Sequence, residues 1–361
     1  MNEELLTRAE CNALRGLAII GIFLHNYCHW LGPVVKENEY QFFQSNVDWL
    51  SHVTASPDAL LPTHLLSFFG HYGVPIFLFL SAYGLERKYG RQSTGGPGVP
   101  AFAKYHFLKL FKMMIVGFIC FTVVDQMTRG SWHYTFLQVV AQLGMFNNLL
   151  SEPDRNIWPG PYWFFGLMLQ LYIVYRLLLY RRHWGWTVGL MAGCLFAQLM
   201  MNPEGEAINW YRYNFMGGML PFGFGLLFAR FGGRILQVRT RGSVWLAALL
   251  LSSFLLVVFS YSFLGWSFVP LVVCVGAVSF VKLISKIPSA ALSRGLMYIL
   301  EWMGGISAAL FVIHPVLRKI FIPISRHGDV YTGLLLYVIA SVGTAWLIRE
   351  LMRKIPNPKL K

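Results

Sequence analysis

The residues best suited to chemistry lie in one apolar segment, RGLAIIGIFLHNYCHW, which runs from Arg15 to Trp30. His25, Asn26 and His29 interrupt a run that otherwise suits a membrane-spanning helix. An ionisable group in such a helix is costly and usually faces the interior of the bundle or a water-filled cavity. An imidazole titrates near neutrality, so it can take a proton from an alcohol and later return it. The segment therefore predicts a general base inside a membrane, with His25 as the candidate.

The spacing along this segment suggests a role for each polar residue. His25 follows Arg15 by ten residues, or about 15 Å along a helix axis, so an arginine at the cytoplasmic interface would place His25 near the bilayer midplane. His29 shares the same helix face at i+4 and lies closer to the outside. Asn26 cannot take up a proton at neutral pH but could orient the imidazole. The structural alternatives are an interhelical hydrogen-bonding role for His25 and an ordinary interfacial role for Arg15.

Three lysines precede a later apolar run and could bind a negatively charged ligand. Lys109 and Lys112 are three residues apart, so they share a helix face, and Lys104 lies just before them. Two neighbouring ammonium groups could hold a phosphate-bearing ligand. The alternative is ordinary positive charge at the membrane interface.

Candidate substrate contacts are His29 on the first apolar run and further residues of other runs. Those further residues are His71, Trp158, Tyr162 and Trp163 near outer ends, and His314 within an apolar run. The three aromatic residues fit either the aromatic belt of the membrane interface or a surface that stacks on a sugar ring. His314 is followed by a proline, and its alternative interpretation is a hydrogen-bonded core histidine.

The chain that must position these residues has the composition of an integral membrane protein. Of its 361 residues, 56% are hydrophobic and 13% are charged, whereas soluble domains carry about 25% charged residues. Runs of about 20 apolar residues, the length that crosses a bilayer core, recur along the chain. We therefore predict an all-α, polytopic membrane protein with a single domain over residues 1–361 and no cleavable signal peptide.

We predict ten membrane-spanning helices with both termini in the cytoplasm. Their approximate bounds are 13–31, 66–85, 106–125, 161–180, 184–201, 213–231, 243–262, 265–284, 302–320 and 330–350. This topology follows the positive-inside rule, because it places 23 of the 30 Lys and Arg residues on the cytoplasmic side and seven outside. The long loops 32–65 and 126–160 are then outside. The segment 134–150 has a short, interrupted apolar run, so we expect it to be re-entrant or interfacial.

Several other classes of function are disfavoured. The net charge of +14 is explained by short basic loops, so no nucleic-acid partner is expected. The five cysteines are odd in number and form no C-x-x-C pair, which predicts buried thiols and neither a disulfide framework nor a metal site. Motifs for nucleotide binding, serine hydrolysis and zinc proteolysis are absent. Acidic residues are nearly missing from the middle of the spans, which argues against a proton-driven transporter.

Five segments, in this order, resemble the acyltransferase-3 membrane proteins that acylate cell-envelope sugars. They are LRGLAIIGIFLH, GHYGVPIFLFLSAYGL, KYHFLKLFK, YWFFGLMLQLYIVYRLL and ISAALFVIHPVL. The sequence departs from the family pattern at three points. Nine residues, where the family has ten, separate the basic residue from the histidine, lysines replace both arginines of the R-x-x-R motif, and Ala82 replaces a glycine.

The resemblance implies ten spans in the inner membrane, an acyl-CoA donor that enters from the cytoplasm, and transfer to a sugar hydroxyl at the outer face. It implies that His25 is catalytic with Arg15 as its partner, and that Lys109 and Lys112 contact the donor. We expect acetyl-CoA as the donor, a cell-envelope saccharide or glycolipid as the acceptor, and no metal. The alternative functions are a transporter or flippase for a polysaccharide precursor and a structural membrane subunit without a site.

The predicted topology can be tested with reporter fusions. Reporters at residue 240 and at the C-terminus should be cytoplasmic, and reporters within 32–65 and 126–160 should be external, because basic loops are retained inside. A reporter at residue 240 that proved external would contradict the ten-span prediction.

Overall fold

A computed structural model describes residues 5–90, 96–235 and 241–359 of the protein. Within these ranges the chain is helical and has no β-strand, which confirms the all-α prediction there. Residues 91–95 and residues 236–240, which include the reporter position 240, lie outside the described residues. The helices are α1 (Arg8–Cys28), α2 (Gln44–Ala55), α3 (Leu61–Phe69), α4 (Gly73–Leu85), α5 (Val99–Met127), α6 (Phe136–Gly144), α7 (Pro153–Asn156), α8 (Trp163–Val174), α9 (Trp184–Leu199), α10 (Glu206–Tyr213), α11 (Phe215–Ile235), α12 (Gly242–Phe259), α13 (Phe263–Ile284), α14 (Ala290–Arg326) and α15 (Val330–Lys354).

Eight helical segments in the described chain are long and apolar enough to cross a membrane, so this is a multi-pass membrane protein. They are Leu61–Gly90, Val99–Met127, Gly160–Leu179, Phe215–Gly233, Gly242–Phe259, Phe263–Ile284, Ala290–Arg326 and Val330–Lys354. Each overlaps one of the ten predicted spans. The two other predicted spans correspond to α1 and to α9, an apolar helix of 16 residues. The count of ten and the side of each terminus therefore stay predictions.

The segment 134–150, which we expect to be re-entrant or interfacial, contains the short helix α6. α6 contains nine residues, which at 1.5 Å per residue is far less than the thickness of a bilayer core. Its first turn is closed by a capping box in which Thr135 and Gln138 bond reciprocally to each other's backbone N–H groups.

The start of α1 is fixed by polar contacts. Thr7 forms a capping box with Glu10, since the Thr7 hydroxyl accepts the Glu10 N–H at 3.1 Å and the Glu10 carboxylate accepts the Thr7 N–H at 2.9 Å. The same carboxylate pairs with Lys282 of α13 at 2.8 Å. These contacts hold α1 against α13 at the end that precedes Arg15.

α1 crosses α14 at a very short distance, and glycine makes this possible. A Cβ atom on Gly16 would lie 2.0 Å from the Leu300 carbonyl oxygen, and one on Gly304 would lie 1.9 Å from the Asn12 carbonyl oxygen. No larger residue fits either position without moving the backbone. This crossing brings the histidine-bearing half of α1 beside α14.

Helix α12 lies at the periphery of the bundle. Only Trp245 and Ser252 of α12 are buried, whereas Leu251, Phe254 and Val258 are exposed. An exposed surface of this composition on a membrane-spanning helix suits contact with lipid chains.

Candidate functional site

His25 lies in the last turn of α1 and is almost completely buried, with 3% of its surface exposed. Its Nδ1 is 2.7 Å from the carbonyl oxygen of Ser67 in α3. A carbonyl oxygen can only accept, so Nδ1 carries the proton and Nε2 keeps a free lone pair. The close approach depends on Gly70, where a Cβ atom would lie 2.5 Å from the Cβ of His25. α3 therefore fixes both the position and the tautomer of His25.

Two further imidazoles, those of His29 and His71, lie beside His25. The ring of His29 is 5.0 Å from that of His25, and the ring of His71 is 5.5 Å away. Neither ring nitrogen of His71 has a hydrogen-bond partner within the described ranges, and both are buried. The structure thus brings together three of the predicted site histidines.

A carboxylate that sequence reasoning missed, Glu37, completes this cluster. Its Oε1 is 2.9 Å from Nδ1 of His29. Burial opposes ionisation of Glu37, but the His29 imidazole and its hydrogen bond hold the pKa of Glu37 well below its usual range. The charge also acts on His25. No periodic pattern marks Glu37, because it lies in the irregular loop after α1.

The loop that carries Glu37 is bonded to α3. The Ser67 hydroxyl donates to the carbonyl oxygen of Val35 at 2.6 Å, and the Val35 N–H donates to Nδ1 of His64 at 3.1 Å. Ser67 therefore contacts both parts of the cluster, through its carbonyl to His25 and through its hydroxyl to the loop of Glu37.

Asn26, which we predicted to orient the imidazole, is bonded to another helix. Its side-chain oxygen accepts a hydrogen bond from Arg318 of α14. The Arg318 guanidinium also stacks on the ring of Trp30 at 4.6 Å and lies close enough to His25 for its charge to act there. Asn26 thus holds a buried cation beside the histidines, and this arrangement joins α1 to a helix almost 300 residues away.

His314 lies where Pro315 interrupts the backbone hydrogen bonding of α14. Its Nδ1 is 3.1 Å from the Leu310 carbonyl oxygen, and its Nε2 is buried without a partner in the described chain. Pro315 has no N–H, so the Phe311 carbonyl loses its helical partner. His314 also interacts electrostatically with Arg318 and His25. It belongs to the same cluster from the side of α14.

The predicted aromatic contacts separate into three environments. Trp163 lines a cavity together with His71. Trp158 stacks on Trp132 at 5.2 Å between ring centroids, on the side of the cluster that holds Trp30. Tyr162 is fully buried, and its hydroxyl donates to a backbone carbonyl of α14 at 2.9 Å. Tyr162 is therefore a packing residue in this structure.

The three lysines predicted to bind the donor all lie on α5. Lys104 and Lys109 are exposed on α5. Lys112 donates to the Ile355 carbonyl oxygen at 2.6 Å and to a C-terminal asparagine at 2.9 Å, so it holds the C-terminal segment. Arg15 donates to the Asn12 side chain at 2.8 Å. The three lysines are thus not equivalent, although two of them share a helix face.

Three side chains of the histidine cluster could in principle hold a metal ion. One ligand atom from each of His25, His29 and Glu37 lies within 4.8 Å of the others. Two histidines and a carboxylate are a known ligand set for zinc. In this arrangement, however, His29 and Glu37 already bond to each other through Nδ1, so coordination by that nitrogen would require the proton and the contact to be lost.

Comparison with known proteins gives one match. A family model described as an acyltransferase domain, the acyltransferase-3 model, covers residues 8–350, which include every candidate site residue. The chain matches no curated protein and no solved structure in the same comparisons.

Glu37→Gln should destabilise the protein in a way that depends on pH. Because the folded-state pKa of Glu37 lies below its ordinary value near 4.5, its ionised form stabilises the fold above that pH, and this contribution is lost as the pH falls through the folded-state pKa. Thermal unfolding in detergent should show a lower Tm for the variant at pH 7 and a smaller difference at pH 3. Glu152→Gln, which removes an exposed ion pair with Arg155, is the control and should change Tm little. Equal Tm differences at both pH values would show that the ionised carboxylate of Glu37 does not contribute to the stability of the fold.

Proposed function

Because this chain belongs to the acyltransferase-3 family, we propose that it moves an acetyl group from acetyl-CoA to a hydroxyl of a cell-envelope saccharide across the inner membrane. The observation that carries the proposal is the state of His25. Its Nδ1–H is bonded to the Ser67 carbonyl, and its Nε2 is left to act as a base. A buried imidazole of fixed tautomer is what general-base catalysis on an alcohol requires.

In the proposed reaction, Nε2 of His25 takes the proton of the acceptor hydroxyl while the hydroxyl oxygen attacks the carbonyl carbon of the thioester. The bond between that carbon and sulfur then breaks, and the departing thiolate takes the proton back from His25. The atoms balance with no further reactant. A variant in which Nε2 itself attacks and carries the acetyl group uses the same free lone pair.

Glu37 and His29 support the charged intermediate. When His25 takes up the proton it becomes an imidazolium, and the nearby carboxylate of Glu37 stabilises that charge. Unlike the carboxylate of a catalytic triad, Glu37 is bonded to the neighbouring His29 and acts on His25 through its charge, while the Ser67 carbonyl orients the imidazole. The charge of Arg318 opposes a proton on His25, which favours return of that proton to the departing thiolate.

The donor and acceptor approach from opposite sides in this proposal. Lys104 and Lys109 are exposed cations that would bind CoA phosphates at the cytoplasmic surface. Arg15, on the same helix as His25, lies toward that surface. The acceptor would reach His25 from the side of His71 and Trp163, where an aromatic face is available for a sugar ring.

A flippase would also use aromatic residues at its outer opening, but it would need no acyl donor. Dependence of the activity on acetyl-CoA therefore separates the two functions. We propose that the reaction proceeds without a metal, because a thioester is already an activated acyl group and His29 is engaged with Glu37.

His25→Ala should abolish acetyl transfer while leaving the protein folded. Loss of a general base costs about 10²–10⁴-fold in rate, and a covalent role would cost more. Transfer of labelled acetyl from acetyl-CoA to a panel of envelope sugars measures this, with His52→Ala, an exposed histidine of α2, as the control. Near-normal turnover in His25→Ala, together with an inactive His314→Ala, would reassign the catalytic residue. Acetyl retained on the protein without acceptor would favour the covalent variant.

Lys109→Ala should weaken CoA binding about tenfold, because a charge-assisted phosphate contact contributes roughly 1.5–3 kcal/mol and a tenfold change corresponds to about 1.4 kcal/mol. Equilibrium binding of CoA measures the effect, and Lys286→Ala, another exposed lysine on the predicted cytoplasmic side, should have none. Changing Lys112 as well should lower stability, since it releases the C-terminal segment. If the variant with both Lys109→Ala and Lys112→Ala bound CoA as tightly as the wild type, neither lysine would contact the donor.

A further inference from the structure

Two cavities meet at one side chain, Tyr72. The first lies beside His71, and we call it the polar cavity because Glu39, Tyr40 and Arg212 line it among mostly apolar residues such as Trp163. The second is a groove of about 290 Å³ between α1, α4, α12 and α13. Tyr72 lines both, and its hydroxyl lies 3.3 Å from the hydroxyl of Ser260. A ligand with two chemically different parts could therefore occupy both cavities at once.

The groove suits a hydrocarbon chain. Its lining is almost entirely apolar, and its walls belong to segments that cross the membrane. One wall is the face of α12 formed by Leu249, Ser252, Ser253 and Leu256, which recur at helical spacing. Since α12 is peripheral, a chain from the surrounding bilayer can enter beside it. Lipid is the ligand that a bilayer supplies to an apolar groove of this kind.

The polar cavity suits an anionic group. The Arg212 guanidinium stacks on Trp266 at 4.5 Å and donates to neutral oxygens, namely the Glu39 carbonyl at 3.2 and 3.1 Å and the Gln198 side chain at 3.4 Å. No carboxylate lies within salt-bridge distance of it in the part of the chain that the structure describes. Burial, and then the charge of Glu37, raise the pKa of the neighbouring Glu39 to about 8 although the charge of Arg212 lowers it, so Glu39 is a weak counter-charge for this arginine.

A partly buried arginine with no carboxylate at salt-bridge distance in the described chain lacks the counter-charge that such a group normally has. Charges removed from water are normally paired, and the planar guanidinium is well matched to the oxygens of a phosphate. The cation that lines the cavity therefore indicates that the ligand brings the negative charge.

We propose that the acceptor is a lipid-linked saccharide, with its hydrocarbon chain in the groove, its phosphate at Arg212 and its sugar directed past His71 toward His25. This inference rests on the proposed function and names the acceptor class for the same site. The polar cavity has a volume of about 40 Å³, which holds water but no sugar ring. Tyr72 is the wall that must move to admit the head group; its hydroxyl is bonded to Ser260 and its ring lies 4.0 Å from that of His71.

Binding of polyprenyl phosphate alone tests the inference without needing the sugar or acetyl-CoA. Native mass spectrometry of the detergent-solubilised protein can compare polyprenyl phosphate, the uncharged polyprenol and inorganic phosphate. The wild type should bind polyprenyl phosphate at least about tenfold more tightly than either of the other two. Preference for inorganic phosphate, or no retention of polyprenyl phosphate, would overturn the proposal.

Ser253→Trp fills the groove and should weaken binding of polyprenyl phosphate and of polyprenol at least about tenfold. Leu251→Trp is the matched control, because it places the same side chain on the opposite, lipid-exposed face of α12. Equal behaviour of the two variants would show that the chain does not use the groove.

Arg212→Gln should reduce the affinity for polyprenyl phosphate to that for polyprenol, and Arg212→Lys should restore part of the difference because it keeps the charge. Arg212→Gln with undiminished preference for the phosphate would overturn the head-group assignment. His25→Ala should bind all three probes as the wild type does, so a failure of the proposed chemistry and a failure of this inference give different results.

Discussion

The hydrogen bond from Nδ1 of His25 to the Ser67 carbonyl is the contact on which the rest of the site depends. It fixes the imidazole in one tautomer and directs the free nitrogen away from α3. The contact exists only because α1 and α3 approach so closely at Gly70 that no side chain fits between them. The hydroxyl of the same serine holds the loop that delivers Glu37. One residue of α3 thereby couples the position of the base to the position of the charge that supports it.

The charges around the histidines follow from their surroundings. In a low-dielectric interior, each ionised group needs a partner or a ligand. Glu37 has His29, and Asp125 has Lys319, whereas Arg318 is satisfied by the Asn26 side chain and the face of Trp30. The described part of the site therefore holds a negative charge on one side of His25 and a positive charge on the other. A proton on His25 is stabilised by the first and opposed by the second, which suits a group that must gain and release it in each cycle.

The sequence predicts those parts of this arrangement that depend on one helix. The i+4 spacing of His25 and His29 places both on one face, and their rings are indeed neighbours. The family resemblance is likewise confirmed over residues 8–350. The all-α fold and the short length of α6 also follow from apolar run lengths.

The parts that depend on tertiary contacts do not appear in the sequence. Glu37 comes from a loop without periodicity, and Arg318 reaches Asn26 from a helix far along the chain. The hydrogen bonds of Asn26 and Lys112 are hidden for the same reason, since their partners, Arg318 and Ile355, come from distant segments. Spacing along a helix cannot reveal a partner supplied by another helix or by the C-terminal segment.

The helix that carries the proposed chemistry is also the hardest to recognise as a span. α1 is absent from the eight candidate spans of the described chain, and its sequence gives the reason. Arg8, Glu10 and Arg15 anchor its first half, and the polar residues near its end build the histidine cluster. Each of these lowers the hydropathy on which recognition of a span depends. A helix that supplies a base, its neighbours and its own anchors carries more polar residues than helices that only enclose it, so the prediction that α1 crosses the membrane rests on the charge bias of the loops and not on hydropathy alone.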